Sequence, residues 1–193
     1  MIAARTRLAL HAIAALIAMN SASAAQATTP DISDVVLRDD QRDVVNLQSL
    51  VRQHRLTAVV FYSSTCPCFA AHRARLVDLV HEMEPRDVRF LFVDSERHSR
   101  GEPVSKFVAQ TSLPILRDDN GRLARRLAAQ FATETFVFDA TGTVRYQGGI
   151  DDDRKYLSQS PRMHLRDALL SLLSGAAPQY PGAKALGCAL RLM

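Results

Sequence analysis

A buried strand that runs directly into a cysteine-containing helix start is the feature that most constrains the fold. Residues Leu56 to Tyr62 form a nearly continuous run of β-branched and aromatic side chains, which predicts a strand buried on both faces. The segment 64–68, which reads Ser-Thr-Cys-Pro-Cys, follows, and apolar residues then recur at helical spacing until Glu84-Pro85. The sequence therefore places Cys66 where a buried strand meets the N-terminus of a helix.

Strand-like and helical patterns alternate along the rest of the chain. The other predicted strands are 35–37, 44–47, 88–94, 114–117, 135–139 and 143–146. The other predicted helices are 47–54, 103–110, 123–131 and 161–174. This order favours an α/β sandwich with a central mixed β-sheet and helices on both faces.

Residues 1–25 carry the pattern of a secretory signal peptide. Basic residues precede an apolar run from Leu8 to Met19, and the segment 22–24 offers a cleavage site of the A-x-A type. The run is shorter than the ~20 residues that span a bilayer. We therefore expect cleavage near Ala25 and a periplasmic or secreted protein, with membrane attachment only if the signal stays uncleaved.

The distribution of charge argues against a nucleic-acid partner. The formal net charge is +4, but the arginines are interspersed with Asp and Glu instead of being clustered. The sequence contains no recognisable nucleotide, haem or flavin motif, so no cofactor is expected. The redox groups that remain are Cys66, Cys68 and Cys188, which all lie downstream of the signal and should meet an oxidising compartment.

The position of Cys66 favours a reactive sulfur. Unpaired amide groups and the positive end of the helix dipole stabilise an anion at a helix N-terminus, and the thiolate is the nucleophilic form of cysteine. Pro67 suits the first helical position, because proline there sacrifices no hydrogen bond. Cys66 is therefore predicted to be the N-cap and the nucleophile, with Cys68 as the second helical residue.

The segment 61–67, Phe-Tyr-Ser-Ser-Thr-Cys-Pro, resembles the strand-to-nucleophile segment of the thioredoxin superfamily, most closely its redoxin or peroxiredoxin-like branch of AhpC/TSA type. The resemblance covers about residues 33–175 and implies a thioredoxin-like domain, followed by a C-terminal tail of residues 176–193. It also implies a thiol-disulfide oxidoreductase that reduces disulfides or peroxides through Cys66, and the signal-peptide pattern adds the expectation that this enzyme is exported. A protein disulfide or a small peroxide would be the substrate, and a thiol protein would recycle the enzyme.

The same resemblance implies roles for residues near the nucleophile. Ser63 stands three residues before Cys66, where peroxiredoxins carry a Thr or Ser that assists the peroxidatic cysteine. Thr133 and Glu134 occupy the place of the loop that faces the nucleophile and normally carries a cis-proline. These two residues and Thr65 are assigned to substrate binding.

Cys188 and Cys68 are alternative partners for Cys66. Cys188 lies in an apolar stretch of the tail that can fold back over the active site, which makes it the candidate resolving cysteine, although a free thiol in an unattached terminus fits the sequence equally well. Cys68 projects about 200° away from Cys66 on a helix, so a disulfide between them requires local distortion. It remains the second candidate for the resolving role.

The start of the helix also offers an alternative function in metal binding. Cys68 and His72 are four residues apart and share a helix face, so a protonated His72 is expected to lower the pKa of Cys68. Together with Cys66 they supply two sulfurs and an imidazole, a set suited to Cu(I). The alternative is a copper metallochaperone of thioredoxin fold that uses Cys66, Cys68 and His72.

Overall fold

The computed structural model describes residues 29–39, 43–96 and 103–192. The predicted signal peptide, residues 1–25, lies outside the described residues. Within the described ranges, no helix combines the length and the apolar character needed to cross a membrane.

The elements follow the alternation that the sequence predicts. The strands are β1 (Val36–Arg38), β2 (Val44–Asn46), β3 (Leu56–Tyr62), β4 (Val88–Asp94), β5 (Ile115–Arg117), β6 (Thr135–Asp139), β7 (Val144–Gly148) and β8 (Gly182–Ala183). The helices are α1 (Leu47–Val51), α2 (Pro67–Met83), α3 (Pro103–Thr111), α4 (Arg122–Arg126) and α5 (His164–Leu173).

The strands form one mixed sheet in the order β2-β1-β5-β4-β3-β6-β7-β8. The central strands β3, β4 and β5 are parallel, whereas β6 is antiparallel to β3. α1 and α4 cover one face of the sheet, and α2, α3 and α5 cover the other. The predicted α/β sandwich with a central mixed sheet and helices on both faces is confirmed.

β3 owes its central place to side chains that are apolar on both of its faces. Successive residues of a strand point to opposite faces, so Ala58 and Val60 pack with α2 and α5, whereas Val59 and Phe61 pack with α1 and α4. All seven residues of the strand are buried. The strand therefore delivers the following segment, which carries Cys66, to a fixed position at the end of the sheet.

The main departure from the predicted elements is the helix expected at 123–131. α4 ends at Arg126, because Ala128 adopts a left-handed conformation with φ 53° and the amide of Ala129 donates back to the carbonyl of Ala124. This pattern of bonds ends a helix. The residues that follow form an irregular loop before β6. The last helix also begins later than expected, at His164 instead of residue 161.

The C-terminal tail returns to the sheet. β8 lies parallel to β7 at the sheet edge. Beyond it, Ala189 pairs with Phe131 and Leu192 pairs with Glu96, both in antiparallel bridges. The tail therefore crosses the end of the sheet at which β3 and β4 finish, the end that also carries Cys66.

Candidate active site at the start of α2

Cys66 is the N-cap residue of α2. Its backbone is extended (φ −82°, ψ 113°), Pro67 occupies the first turn, and the amide of Ala70 donates to the carbonyl of Cys66 at 3.1 Å. The amide of Cys66 donates to the carbonyl of Ser63, which closes the turn between β3 and α2. The side chain of Cys66 makes no capping hydrogen bond. Its sulfur is therefore not used to hold the helix.

Backbone hydrogen bonds carry the tail to this helix start. The amide of Ala132 donates to the carbonyl of Cys188, and the amide of Leu190 donates to the carbonyl of Gln130, both at 2.8 Å. This is the antiparallel pattern of a short β-ladder, in which main-chain groups alone fix the position of the added segment.

Gly187 lets the two backbones approach closely. A Cβ atom at this position would lie 1.5 Å from the carbonyl oxygen of Ala132 and 2.7 Å from its carbonyl carbon. Only a residue without a side chain fits there. The close approach places the Sγ of Cys188 2.7 Å from the Sγ of Cys66.

Cys68 completes a cluster of three sulfurs. The Sγ atoms of Cys66, Cys68 and Cys188 all lie within 4.8 Å of one another. Burial, followed by the neighbouring Cys66, raises the pKa of Cys68, and the same two causes raise the pKa of Cys188 to about 12. Both are therefore thiols at neutral pH. The pKa of Cys68 is therefore not lowered as the position of His72 predicts, because burial and the neighbouring Cys66 outweigh the opposing contributions of Cys188 and Arg154.

Access to Cys66 is restricted in this arrangement. The residue is only 2% exposed, because the tail with Cys188 covers it. A cavity of about 20 Å³ beside it is bordered by Tyr62, Ser64 and Arg73, and has room for about one water molecule. The hydroxyls of Tyr62 and Ser64 are buried without a hydrogen-bond partner among the described residues. A small polar molecule therefore fits next to the sulfur, whereas a protein substrate requires the tail to move.

His72 is engaged elsewhere and does not join the sulfur cluster. Its Nδ1 lies 2.7 Å from the carbonyl oxygen of Cys68, and its Nε2 lies 2.8 Å from Oδ1 of Asp151. Both partners accept hydrogen bonds, so both nitrogens carry hydrogen and the ring is a cation. Burial opposes this charge, but the hydrogen bonds to Asp151 and Cys68 raise the pKa of His72 overall. The predicted copper set of Cys66, Cys68 and His72 is not formed, because neither nitrogen has a free lone pair.

Asp151 ties the beginning of α2 to the segment that follows β7. Its side chain is fully buried and accepts hydrogen bonds from His72 and, at 2.6 Å, from Nη1 of Arg75. Arg75 also binds Asp153 at 2.8 Å. Burial alone would raise the pKa of Asp151, but the hydrogen bonds from His72 and Arg75 lower it overall. A buried ionic network therefore holds the helix that presents Cys66.

Ser63 is bound to a carboxylate instead of being free to assist Cys66. Its hydroxyl donates to Oε2 of Glu96 at 2.7 Å, and both residues are buried. The other oxygen of Glu96 accepts from the amide of Arg191 at 3.2 Å. Glu96 therefore links the turn before Cys66 to the tail, and it is the second anchor of the tail after the loop at 130–132.

Asp94 supports this anchor from the end of β4. It accepts hydrogen bonds from the amide of Glu96, at 2.9 Å, and from the guanidinium of Arg117. Burial raises the pKa of Asp94 to about 6, although both of these hydrogen bonds act in the opposite direction. Its carboxyl group therefore changes charge near pH 6, directly behind the residue that holds the tail.

Thr65 and Thr133 have different surroundings. Thr65 is exposed, and its hydroxyl lies 3.3 Å from that of Ser63. Thr133 is buried in a left-handed conformation with φ 75°, and its amide donates to the carbonyl of Phe61 on β3. Thr65 is therefore on the surface near the cysteine, whereas Thr133 fixes the loop to the sheet.

Glu134 holds the loop on which the tail docks. One carboxylate oxygen accepts from the amides of Gln130 and Phe131, and the other accepts from the side chain of Gln147 at 3.1 Å. The described residues contain no cis peptide bond. The sequence predicts that Glu134 binds substrate, but in the structure its carboxylate fixes the loop through hydrogen bonds. This is the loop in which the family resemblance would place a cis-proline.

The sequence profile of the AhpC/TSA family matches residues 27–147, which is more than half of the chain. The chain belongs to the AhpC/TSA family. It is thus a thioredoxin-fold redoxin, which confirms the predicted resemblance. No curated protein matches the chain as a relative.

Solved structures share the fold of this AhpC/TSA chain. A hypothetical protein from Sinorhizobium meliloti is 20% identical with a TM-score of 0.74, over 86% of this chain and 95% of that one. An uncharacterized conserved protein from Geobacillus kaustophilus is 21% identical with a TM-score of 0.71, over 87% and 97%. Peroxiredoxin Q from Xanthomonas campestris is 16% identical with a TM-score of 0.50, over 75% and 92%. At such identities the likeness shows the shared thioredoxin-like fold.

Three residues of this AhpC/TSA protein border the site without having been predicted. Gly187 directly precedes Cys188, and a glycine next to a functional residue is a signal of close backbone approach. Arg73 lies seven residues after Cys66, which puts it on the same side of α2 two turns later. Glu96 follows β4 without any local pattern that distinguishes it from other acidic residues.

Proposed function

We propose that the protein is an exported thiol oxidoreductase in which Cys66 is the nucleophile and Cys188 the resolving cysteine. The observation that carries the proposal is the 2.7 Å distance between the two sulfurs, held by backbone hydrogen bonds of the Cys188 carbonyl and the Leu190 amide. A disulfide is about 2.05 Å long. A small movement of the side chains therefore suffices to form the bond.

Reduction of a substrate disulfide needs both cysteines. The thiolate of Cys66 attacks one sulfur of the substrate and displaces the other as a thiolate, which leaves a mixed disulfide. Cys188 must lose its proton before it attacks, and the departing thiolate is the base that takes it. Burial and then Cys66 raise the pKa of Cys188, and the contribution of Cys66 ends once its sulfur is bound in the mixed disulfide. Cys188 then attacks the sulfur of Cys66 and releases the second substrate thiolate. Two electrons pass to the substrate, and a Cys66–Cys188 disulfide remains.

A small peroxide is the alternative oxidant for the same pair. The thiolate of Cys66 attacks the OH oxygen of the peroxide, and the other oxygen leaves as hydroxide or alkoxide, which takes a proton from solvent to become water or alcohol. A sulfenic acid forms on Cys66. Cys188 then condenses with it and water is released. The cavity beside Cys66 favours this branch over a large substrate, because Tyr62 and Ser64, whose hydroxyls lack a partner among the described residues, border it. With room for about one water molecule, it must widen slightly to admit a peroxide. In both branches an external thiol protein reduces the disulfide and completes the cycle.

Mapping of the disulfide tests the proposal directly. Reduced protein is treated with one equivalent of a low-molecular-weight disulfide or of hydrogen peroxide, alkylated, digested and analysed by mass spectrometry. We expect a bridge between Cys66 and Cys188 and an alkylated Cys68. The Cys188→Ser variant should instead retain a mixed disulfide or a sulfenic acid on Cys66, because the adduct is no longer resolved.

The matched variant Cys68→Ser separates the two candidates for the resolving role. It is expected to form the Cys66–Cys188 bridge, since Cys188 has the shorter approach to Cys66 in the structure. In the wild-type protein, a bridge between Cys66 and Cys68 or three free thiols after mild oxidation would contradict the assignment, as would two free thiols in Cys68→Ser.

Export forms the second part of the proposal and rests on the sequence pattern of residues 1–25. An N-terminal sequence beginning near Ala25, determined on protein recovered from the periplasm or the medium, is the expected result. Recovery of the protein with residues 1–25 intact in the cytoplasmic fraction would count against export.

A further inference from the structure

We infer that the reduced protein has a Cu(I) site formed by the three sulfurs of Cys66, Cys68 and Cys188. This set differs from the one that the sequence predicts, because the tail supplies Cys188 in place of His72. The three Sγ atoms lie within 4.8 Å of one another. Sulfurs that share one ion at bond lengths of ~2.3 Å are about 4 Å apart. Side-chain movements of about 1 Å therefore complete the site.

The number and kind of ligands decide which ion fits. Soft thiolate ligands select Cu(I) and Zn(II) over hard cations. A closed structural zinc site takes four protein ligands. Among the residues that the structure describes, no fourth histidine, cysteine or carboxylate joins this cluster. Three sulfurs without a fourth ligand thus favour Cu(I).

The start of α2 offsets part of the charge of such a site. Three thiolates and one Cu(I) carry a net charge of −2. Cys66 is the N-cap of α2, where unpaired amides and the positive end of the helix dipole stabilise an anion. His72 is hydrogen-bonded to the carbonyl of Cys68, but its charge is paired with Asp151.

The tail keeps the third ligand in place and limits exposure of the ion. Cys66 and Cys68 are 2% and 9% exposed, and Cys188 is held through its own carbonyl and through Leu190. A disulfide between Cys66 and Cys188 would remove two of the three ligands. The three-cysteine cluster can therefore hold Cu(I) or contain the Cys66–Cys188 disulfide, but not both at once. This holds whether the protein reduces or oxidises its substrate.

Anaerobic titration of the reduced full-length mature protein tests the inference. Cu(I) is supplied as its acetonitrile complex in competition with the chelator bathocuproine disulfonate, and the bound ion is examined by X-ray absorption. The expected result is one Cu(I) per chain with three sulfur neighbours. Loss of one ligand in Cys68→Ala should weaken binding at least about a hundredfold, since even residues that only support a ligand cost up to that much. His81→Gln, which removes an exposed histidine from the same helix, should leave the affinity unchanged.

The same samples separate this inference from the redox proposal. Oxidised protein that contains the Cys66–Cys188 bridge should no longer retain Cu(I). The copper site is refuted if the reduced wild-type protein binds no Cu(I), or if the Cys68→Ala variant binds Cu(I) as tightly as the wild type does. If the Cys66–Cys188 bridge still forms in that case, the redox proposal stands. Tighter binding of Zn(II) than of Cu(I) would refute the choice of ion. Copper bound by three sulfurs without any oxidation to the bridge would support the site and refute the redox proposal.

Discussion

Replacing Gly187 by alanine is expected to slow formation of the Cys66–Cys188 disulfide at least about a hundredfold, since misplacement of reacting groups by about 1 Å costs that much. The added Cβ would stand 1.5 Å from the carbonyl oxygen of Ala132. Backbone atoms on both sides cannot give way as a flexible side chain would, so the tail must move outward. That movement breaks the hydrogen bonds made by the carbonyl of Cys188 and the amide of Leu190.

The cause of this effect is steric and not conformational. Gly187 is not among the glycines with a positive φ, so alanine can adopt the backbone conformation itself. The matched control is Gly182→Ala in the same tail, where a Cβ would meet only the carbonyl oxygen of Gln147 at 3.5 Å, an ordinary contact. We expect the control to form the disulfide at a rate close to that of the wild-type protein.

The measurement is timed alkylation of reduced protein after addition of an oxidant, read by mass spectrometry. Gly187→Ala should also accumulate adducts on Cys66, because the tail no longer covers or resolves it. Thermal unfolding of the same variant serves as a check on the fold, which should be retained since β8 and the central sheet are not touched. Disulfide formation at the wild-type rate would show that the docked tail does not set the distance between the sulfurs.

The parts of the fold that local sequence determines were predictable. The run at β3 is apolar on both faces, and such a strand needs helices above and below it. The position of Cys66 follows from Pro67 and from the helical spacing after it, since each acts on its immediate neighbours. These signals suffice to place the nucleophile at the end of a central strand.

The contacts that complete the site depend on residues far apart in sequence. Cys188 reaches Cys66 from 122 positions away, through hydrogen bonds to residues 130–132 that any backbone can make. Pairing between backbones leaves no side-chain pattern in the sequence. The sequence therefore predicts two alternatives for Cys188, a resolving cysteine or a free thiol. The same reason explains why Glu134 was assigned to substrate. A buried carboxylate that accepts two amides cannot be distinguished by spacing from one that faces a ligand.

His72 shows the limit of helical spacing as evidence. Its four-residue separation from Cys68 predicts a shared face, but the ring turns both nitrogens to other partners. One of these partners, Asp151, begins a run of three consecutive aspartates, a pattern that is typical of a solvated loop. The structure instead buries Asp151 completely. The partner of a polar group on a helix face is therefore decided by tertiary packing, which spacing alone does not reveal.

Asp151→Asn is expected to destabilise the protein by about 3–5 kcal/mol, the usual cost of breaking a buried ion pair by removing one partner. The amide keeps the shape of the carboxylate but cannot accept from both His72 and Arg75, and it no longer balances their charges. The matched control is Asp152→Asn, an exposed neighbour that, within residues 29–39, 43–96 and 103–192, accepts from the amide of Arg162 alone. Its free energy of unfolding should change by no more than about 0.5 kcal/mol.

The loss in Asp151→Asn should depend on pH in a defined direction. The pKa of His72 is raised above 6.5 by its hydrogen bonds, so its contribution is complete below pH 6.5 and disappears as pH rises through the folded-state value. The pKa of Asp151 is lowered below 3.8, so its contribution is present above pH 3.8 and disappears as pH falls through the folded-state value. Urea unfolding at a series of pH values should therefore show the largest gap between wild type and variant between about pH 4 and 6.5. A gap that stays constant across the series would mean that Asp151 acts through shape and not through charge.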